Sequence, residues 1–100
     1  MPYTCIRLYR LRAGAAQRVQ RMVARSLLPL LEAQPGFLEY RFMVAADDRA
    51  VSESLWEHVE EAASADAVEA DWVRSALSPE LDGLPDSLIG AVEVAEARVA

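Results

Sequence analysis

The sequence predicts an α+β fold: a four-stranded antiparallel sheet with two helices on one face. Three observations predict it. Stretches of two-residue alternation and stretches of helical spacing follow one another in the order β-α-β-β-α-β. The chain has 100 residues, so residues 1–100 form one domain around one core. Right-handed crossovers turn that order into a single antiparallel sheet, the ferredoxin-like plan.

Residues 3–12 are rich in β-branched and aromatic types with no breaker after Pro2, and they read as the first strand. Ala13-Gly14 ends it. From Ala15 to Ala33 the apolar residues Val19, Met22, Val23, Leu27, Leu30 and Leu31 form a helical stripe, with Arg18, Arg21, Arg25 and Glu32 opposite. Pro29 lies inside that pattern and must kink the helix or restart its last turn. Pro35-Gly36 terminates it. Phe37 to Ala46 alternates as a second strand, Phe37/Glu39/Arg41/Met43 on one side and Leu38/Tyr40/Phe42/Val44 on the other. Asp47-Asp48-Arg49 is a hairpin turn, and Ala50 to His58 is the third strand. Val59 to Leu77 reads as the second helix, with the packing stripe Ala65, Val68, Trp72 and Ala76 and an allowed break at Ser64-Ala65-Asp66. Its acidic residues Glu60, Glu61, Asp66 and Glu69 suit the N-terminal half of the helix dipole and read as a solvated face. Ser78 to Asp86 is a loop, and Ser87 to Val99 the fourth strand.

Composition excludes several classes of function. The net charge is −6, against the basic footprint that nucleic acid requires. No apolar run approaches the roughly 20 residues of a membrane helix, and strand-like sequence begins directly after Met1-Pro2, so the expected protein is soluble and cytoplasmic. One cysteine, Cys5, and one histidine, His58, leave neither a disulfide nor a Cys- or His-based metal centre, and no metal is expected. Cys5 reads as a small buried hydrophobe. Phosphate-binding glycine loops and nucleophile elbows are missing, and no catalytic signature is visible.

The helices of this plan cover one sheet face, yet both alternation sets are apolar. One carries Tyr3, Cys5, Tyr9 and Leu11, the other Ile6, Leu8, Phe42 and Val44. A bare apolar sheet of that size exceeds what monomers tolerate, so the second face is expected to close on another copy as a homodimer.

Four features resemble the antibiotic biosynthesis monooxygenase domains of the dimeric α+β barrel superfamily. They are the short first strand, a long first helix ending in Gln34-Pro35-Gly36-Phe37-Leu38-Glu39-Tyr40, a strand closing on Leu55-Trp56-Glu57, and Glu60-Glu61-Ala62 opening the second helix. The resemblance covers nearly the whole chain. It implies a dimer in which two sheets pack into a barrel, and a cofactor-independent monooxygenase-like protein acting on a small apolar or aromatic molecule of polyketide or quinol type. The alternative is a non-catalytic homodimeric barrel that binds a ligand or stabilises a partner. No cofactor is expected. The chain departs from its relatives where they carry Glu before the strand-end Trp, here Ser54, and His in the second helix, here Ala65 and Ala70. The Asn/Trp/His set of haem-degrading members falls near Arg7, Ala65 and Ser75, so none of the three is retained.

The candidate catalytic residues are His58 and Arg7. His58 is the one histidine, the residue type suited to act as a base for a phenol or enol, or it is a solvated partner of Glu57, Glu60 and Glu61. Arg7, in mid-strand, needs a carboxylate: Glu53 on the neighbouring strand or a ligand's anion. The candidate substrate-binding residues are Trp56, Tyr40, Tyr9 and Trp72. Trp56 either stacks on an aromatic substrate or fills the core; Tyr9 and Tyr40 either donate to a substrate carbonyl or pack; Trp72 packs on the sheet.

Overall fold

The computed structural model describes residues 1–98. Its elements are β1 (Tyr3–Arg10), α1 (Ala16–Met22), a π-helical turn (Val23–Leu27), α2 (Leu28–Glu32), β2 (Phe37–Val44), β3 (Arg49–Trp56), α3 (Val59–Trp72), a second π-helical turn (Val73–Leu77), a 3₁₀ turn (Ser78–Glu80) and β4 (Asp86–Ala91). The strands lie in the order β2-β3-β1-β4, all antiparallel, which places β1 and β3 in the centre. Among the described residues no helix is long and apolar enough to cross a membrane.

The first helical stretch runs unbroken through Pro29 because a π turn precedes it. Leu28 donates its N–H back to the carbonyl of Val23, five residues earlier, and Pro29 then sits in the first turn of α2, where its fixed φ suits the helix. The wider turn spaces the buried residues by four: Val19, Val23, Leu27 and Leu31. Leu30, expected in that stripe, is carried out to 42% exposure.

The second helix also departs from expectation, since α3 continues without a break through Ser64-Ala65-Asp66. Its inward stripe is Ala62, Ala65, Glu69 and Trp72. Glu69 is thus buried, where a solvated position was expected.

The sheet settles which face meets the helices. Opposed residues in the ladder share a side, so Cys5 lies with Ser54, Arg7 with Ser52 and Tyr9 with Ala50, all buried beneath the helices. On β2 the register shifts between Phe37 and Glu39, with Leu38 as the bulged residue. Phe37 therefore faces inward with Tyr40, Phe42 and Val44, not with Glu39 and Arg41 as simple alternation predicts. The outer face carries Ile6, Leu8, Met43, Val51, Leu55 and Leu88, of which Leu8, Met43 and Leu88 remain 46%, 56% and 55% exposed. The first strand is shorter than expected, Leu11 making an isolated bridge to Leu81. β4 stops at Ala91; Val99, the last residue of the expected strand, lies outside the described residues.

Gly36 shows how the α2–β2 turn is held. Its φ is +79°, and a Cβ built on it would lie 1.9 Å from the Glu61 carboxylate. That carboxylate accepts the His58 N–H at 3.0 Å and caps α3, so it cannot swing away freely. Gly36→Ala is expected to destabilise the fold by about 1–3 kcal/mol, read as a lower urea midpoint at unchanged slope.

Candidate functional site between the sheet and α3

The inward residues of β3 ahead of Trp56 are small. Ala50, Ser52 and Ser54 stand between the larger Arg7 and Tyr9 of β1 and Tyr40, Phe42 and Val44 of β2. This trough receives the carboxylate of Glu69 from α3. Glu69, 2% exposed, accepts a hydrogen bond from the Tyr9 hydroxyl at its Oε2. The Nε of Arg7 lies 3.6 Å from the same oxygen and has no hydrogen-bond acceptor, the one such buried side-chain atom among the described residues. Arg7 Nη2 donates to the Asp66 carboxylate and, at 3.1 Å, to the Asp66 carbonyl. The thiol of Cys5 donates to Asp66 Oδ1 at 3.5 Å. A second hydroxyl pair, Tyr40 with Ser52 at 2.8 Å, lies on the β2 side.

Arg7 therefore has its carboxylates on the helix, and the expected partner Glu53 is elsewhere. Glu53 lies on the outer face, 2.8 Å from Arg41 Nη2. The acidic residues of α3 split accordingly: Glu69 and Asp66 face the sheet, while Glu60 stays in solvent. The signal for this was present in the sequence. Glu69 stands four residues after Ala65 and three before Trp72, both of the apolar stripe, so helical spacing alone places it underneath.

Burial dominates the electrostatics. Desolvation pushes the Glu69 carboxyl above its ordinary value of 4.5, although Tyr9, Ser52 and Arg7 pull the other way. Burial and the adjacent Glu69 charge push the Tyr9 phenol far up, so it is a fixed hydrogen-bond donor. Burial raises the Tyr40 hydroxyl too, against its bond with Ser52. Cys5 is pushed up to about 12 by burial and by the carboxylates of Asp66 and Glu69, which makes it an inert thiol.

The aromatic candidates frame this cluster. Trp56 is wholly buried, its indole N–H donating to Ser54 at 2.8 Å and its ring meeting Phe37 edge-on at 5.5 Å. Trp72, 5% exposed, donates its N–H to Ser26 at 2.9 Å and ties the two helical stretches together. His58 stands apart at the N-cap of α3, its side chain 67% exposed and its Nδ1 3.1 Å from Glu61. Glu57, His58 and Glu61 each bring a possible metal-ligand atom within 4.8 Å of the others, at the open end of the helix that Glu61 caps. The structure thus gathers Arg7, Tyr9 and Tyr40 with the unexpected Asp66 and Glu69, and leaves His58 outside.

A cavity of about 580 Å³ opens elsewhere, on the outer face of the sheet. Leu8, Met43 and Val51 line it, together with Arg10, Arg49 and the 82–86 loop. Arg7, Trp56, Trp72 and His58 are not among its walls.

No family model matches the sequence, and no curated protein is similar to it. Solved structures are similar to the fold. A Streptomyces coelicolor monooxygenase from the gene ActVA-Orf6, in complex with nanaomycin D, is 21% identical over 97% of this chain and 92% of that one, with a TM-score of 0.76. SnoaB, a cofactor-independent oxygenase from Streptomyces nogalater, is 15% identical over 94% and 95%, with a TM-score of 0.75. MhuD, solved with two manganese protoporphyrin IX molecules in each active site, is 21% identical over 96% and 99%, also at 0.75. The fold is that of antibiotic biosynthesis monooxygenase-type structures.

The raised Glu69 carboxyl has a measurable sign. The native chain holds this proton more tightly than the unfolded chain, so the group's stabilisation is complete below pH 4.5 and is lost as pH rises through the folded value. In urea titrations from pH 4 to 8, wild type is expected to lose stability relative to Glu69→Gln as pH rises. A difference that stays flat across this range would place Glu69 at its ordinary value.

Proposed function

We propose that the chain is a cofactor-independent monooxygenase of the antibiotic biosynthesis type, acting on a small aromatic molecule with an acidic phenol or enol. The observation that carries this reading is the cluster under α3 in which buried Arg7, Glu69 and Tyr9 join the half-buried Asp66. Apolar side chains of the same volume would hold the sheet and helix together as well or better, so stability does not account for the charges. The likeness of the fold to oxygenases acting without a cofactor supports the same reading.

In this reading Glu69 is the base. Burial raises its carboxyl towards neutrality, which strengthens it as a proton acceptor. Arg7, whose Nε lacks an acceptor, holds the substrate oxygen once it has become an anion. Tyr9 fixes the carboxylate, and Tyr40, Trp56 and Trp72 form apolar walls. The electron-rich anion is then the reductant for dioxygen. Entry is over β4, where the Asp66 side chain keeps 28% of its exposure and Ile89, paired with Cys5, is 37% exposed. His58, on the open end of α3, has no part in this chemistry.

The second reading, a homodimeric barrel that binds a ligand without turnover, is favoured by one observation. Trp56 and Trp72 occupy the interior, and the 580 Å³ cavity lies on the other face. Oxygen consumption with anthrone-type phenols distinguishes the two. Turnover by wild type that falls about 10²- to 10⁴-fold in Glu69→Gln, with the circular dichroism spectrum unchanged, is the expected result. Binding without oxygen uptake would replace the first reading by the second.

Both readings include a homodimer closed through the outer face of the sheet, where Leu8, Leu38, Met43 and Leu88 stand 46–56% exposed. Leu88→Asp changes a side chain that the single subunit leaves open. It is expected to shift the sedimenting species from dimer to monomer at micromolar concentration, with the fold retained.

A further inference from the structure

We propose that Asp66 is the specificity-determining residue of the site under α3: its carboxylate occupies the place on Arg7 that a ligand's anionic oxygen takes, and the site fills by exchange of one for the other. The proposal rests on the part of the oxygenase reading in which Arg7 receives an oxyanion, and it adds which group must leave.

The members of the cluster differ in their access to water. The side chains of Arg7 and Glu69 are 7% and 3% exposed, whereas that of Asp66 is 28% exposed. Asp66 follows Ala65 of the buried stripe and so lies at the margin of the face that α3 packs on the sheet. Opposite that margin runs β4, an edge strand. Its residues Ser87 and Ile89 are the ladder partners of Arg7 and Cys5, so they share the inward face, and both are exposed. The way from solvent to the guanidinium therefore passes between Asp66 and β4, and the Asp66 carboxylate stands in it.

A ligand anion entering there brings a third negative group to a guanidinium that already faces two carboxylates, unless one of them leaves. Glu69 is buried and held by the Tyr9 hydroxyl. Asp66 can turn outwards, giving up its bond from Arg7 Nη2 and a weak one from the Cys5 thiol at 3.5 Å. Arg7 keeps its place meanwhile, because Nη2 also donates to the main-chain carbonyl of Asp66 at 3.1 Å. The charge of the cluster is the same before and after, and the arginine is never left bare. A neutral ligand has no charge-assisted bond to offer in return for the carboxylate, and the site turns it away.

Para-nitrophenolate and para-nitroanisole, one ring with a free or a methylated oxygen, test the exchange above neutral pH. Each is titrated into the full chain, as wild type and as Asp66→Asn. In wild type the Asp66 carboxylate is also followed by NMR of aspartate labelled at its carboxyl carbon. The phenolate is expected to bind Asp66→Asn about three- to tenfold more tightly than wild type, since no carboxylate competes with it. In wild type it is expected to move the Asp66 signal to the position of an exposed aspartate. The methyl ether is expected to bind both forms weakly and alike. Equal or weaker phenolate binding by a folded Asp66→Asn would overturn the proposal, for Asp66 would then be a support that Arg7 needs. Tighter binding that leaves the wild-type Asp66 signal unmoved would overturn it too, as an effect of charge alone. So would a phenolate that binds no better than its methyl ether, or not at all. The NMR measurement uses wild type and decides the matter even where Asp66→Asn does not fold. Oxygen uptake is read separately: turnover without movement of Asp66 ends this proposal and keeps the oxygenase reading, and exchange without turnover does the reverse.

Discussion

The structure depends on placing one guanidinium. Arg7 lies in the middle of a central strand, 6% exposed, and a charge taken that far from water must have carboxylates within reach. Only the element packed on that side of the sheet can provide them. Asp66 and Glu69 do so from positions three apart on α3, which fixes the rotation of the helix and its position along β1. The small side chains Ala50, Ser52 and Ser54 follow from the same requirement, because a glutamate descending from the helix needs a trough to enter. Ala62 and Ala65 let the helix come close enough. Removing a single member would leave its partners charged in a dry place, a loss of about 3–5 kcal/mol, whereas exchanging the whole set for hydrocarbon would cost little.

The two faces of the sheet thus have different characters. Beneath the helices the polar groups are few and joined: Cys5, Arg7, Tyr9 and Glu69 are buried and form one connected set with the half-buried Asp66, and the Tyr40–Ser52 pair lies beside it. On the other side the apolar row Met43–Val51–Leu8 lies open and the charges stand at its margins. A cluster enclosed by protein can tune acidity, since few waters compete for its hydrogen bonds. An apolar floor left open by the single subunit, with charged margins, suits closure against another protein surface.

Much of this was legible in the chain. Alternation and helical spacing located every strand and both helical stretches, because a period of two and a period of 3.6 are hard to confuse over eight residues or more. The need of a mid-strand arginine for a carboxylate was also legible. Its partner was not, because charge type and dipole position, two surface arguments, assign Glu69 to solvent, whereas its spacing from Ala65 and Trp72 puts it underneath. Leu30 misleads for another reason: a π turn has no signature in hydropathy, and the extra residue per turn displaces whatever follows it. The choice of sheet face is not legible, since both sets of alternating residues are apolar and neither hydropathy nor charge distinguishes them.

The bulge at Leu38 has a consequence for how this family of sequences can vary. Phe37 points inward, Glu39 outward and Tyr40 inward again, so Leu38 is the one residue of β2 that the alternation does not require. A homologue lacking it would keep every neighbour on its present side and merely straighten the strand. Losing any single residue from Tyr40 to Val44 would instead turn part of the strand over, exchanging buried rings for ionised groups. Length differences among relatives should therefore gather at this position, and an alignment that places a gap two residues further on has misassigned the lining of the interior.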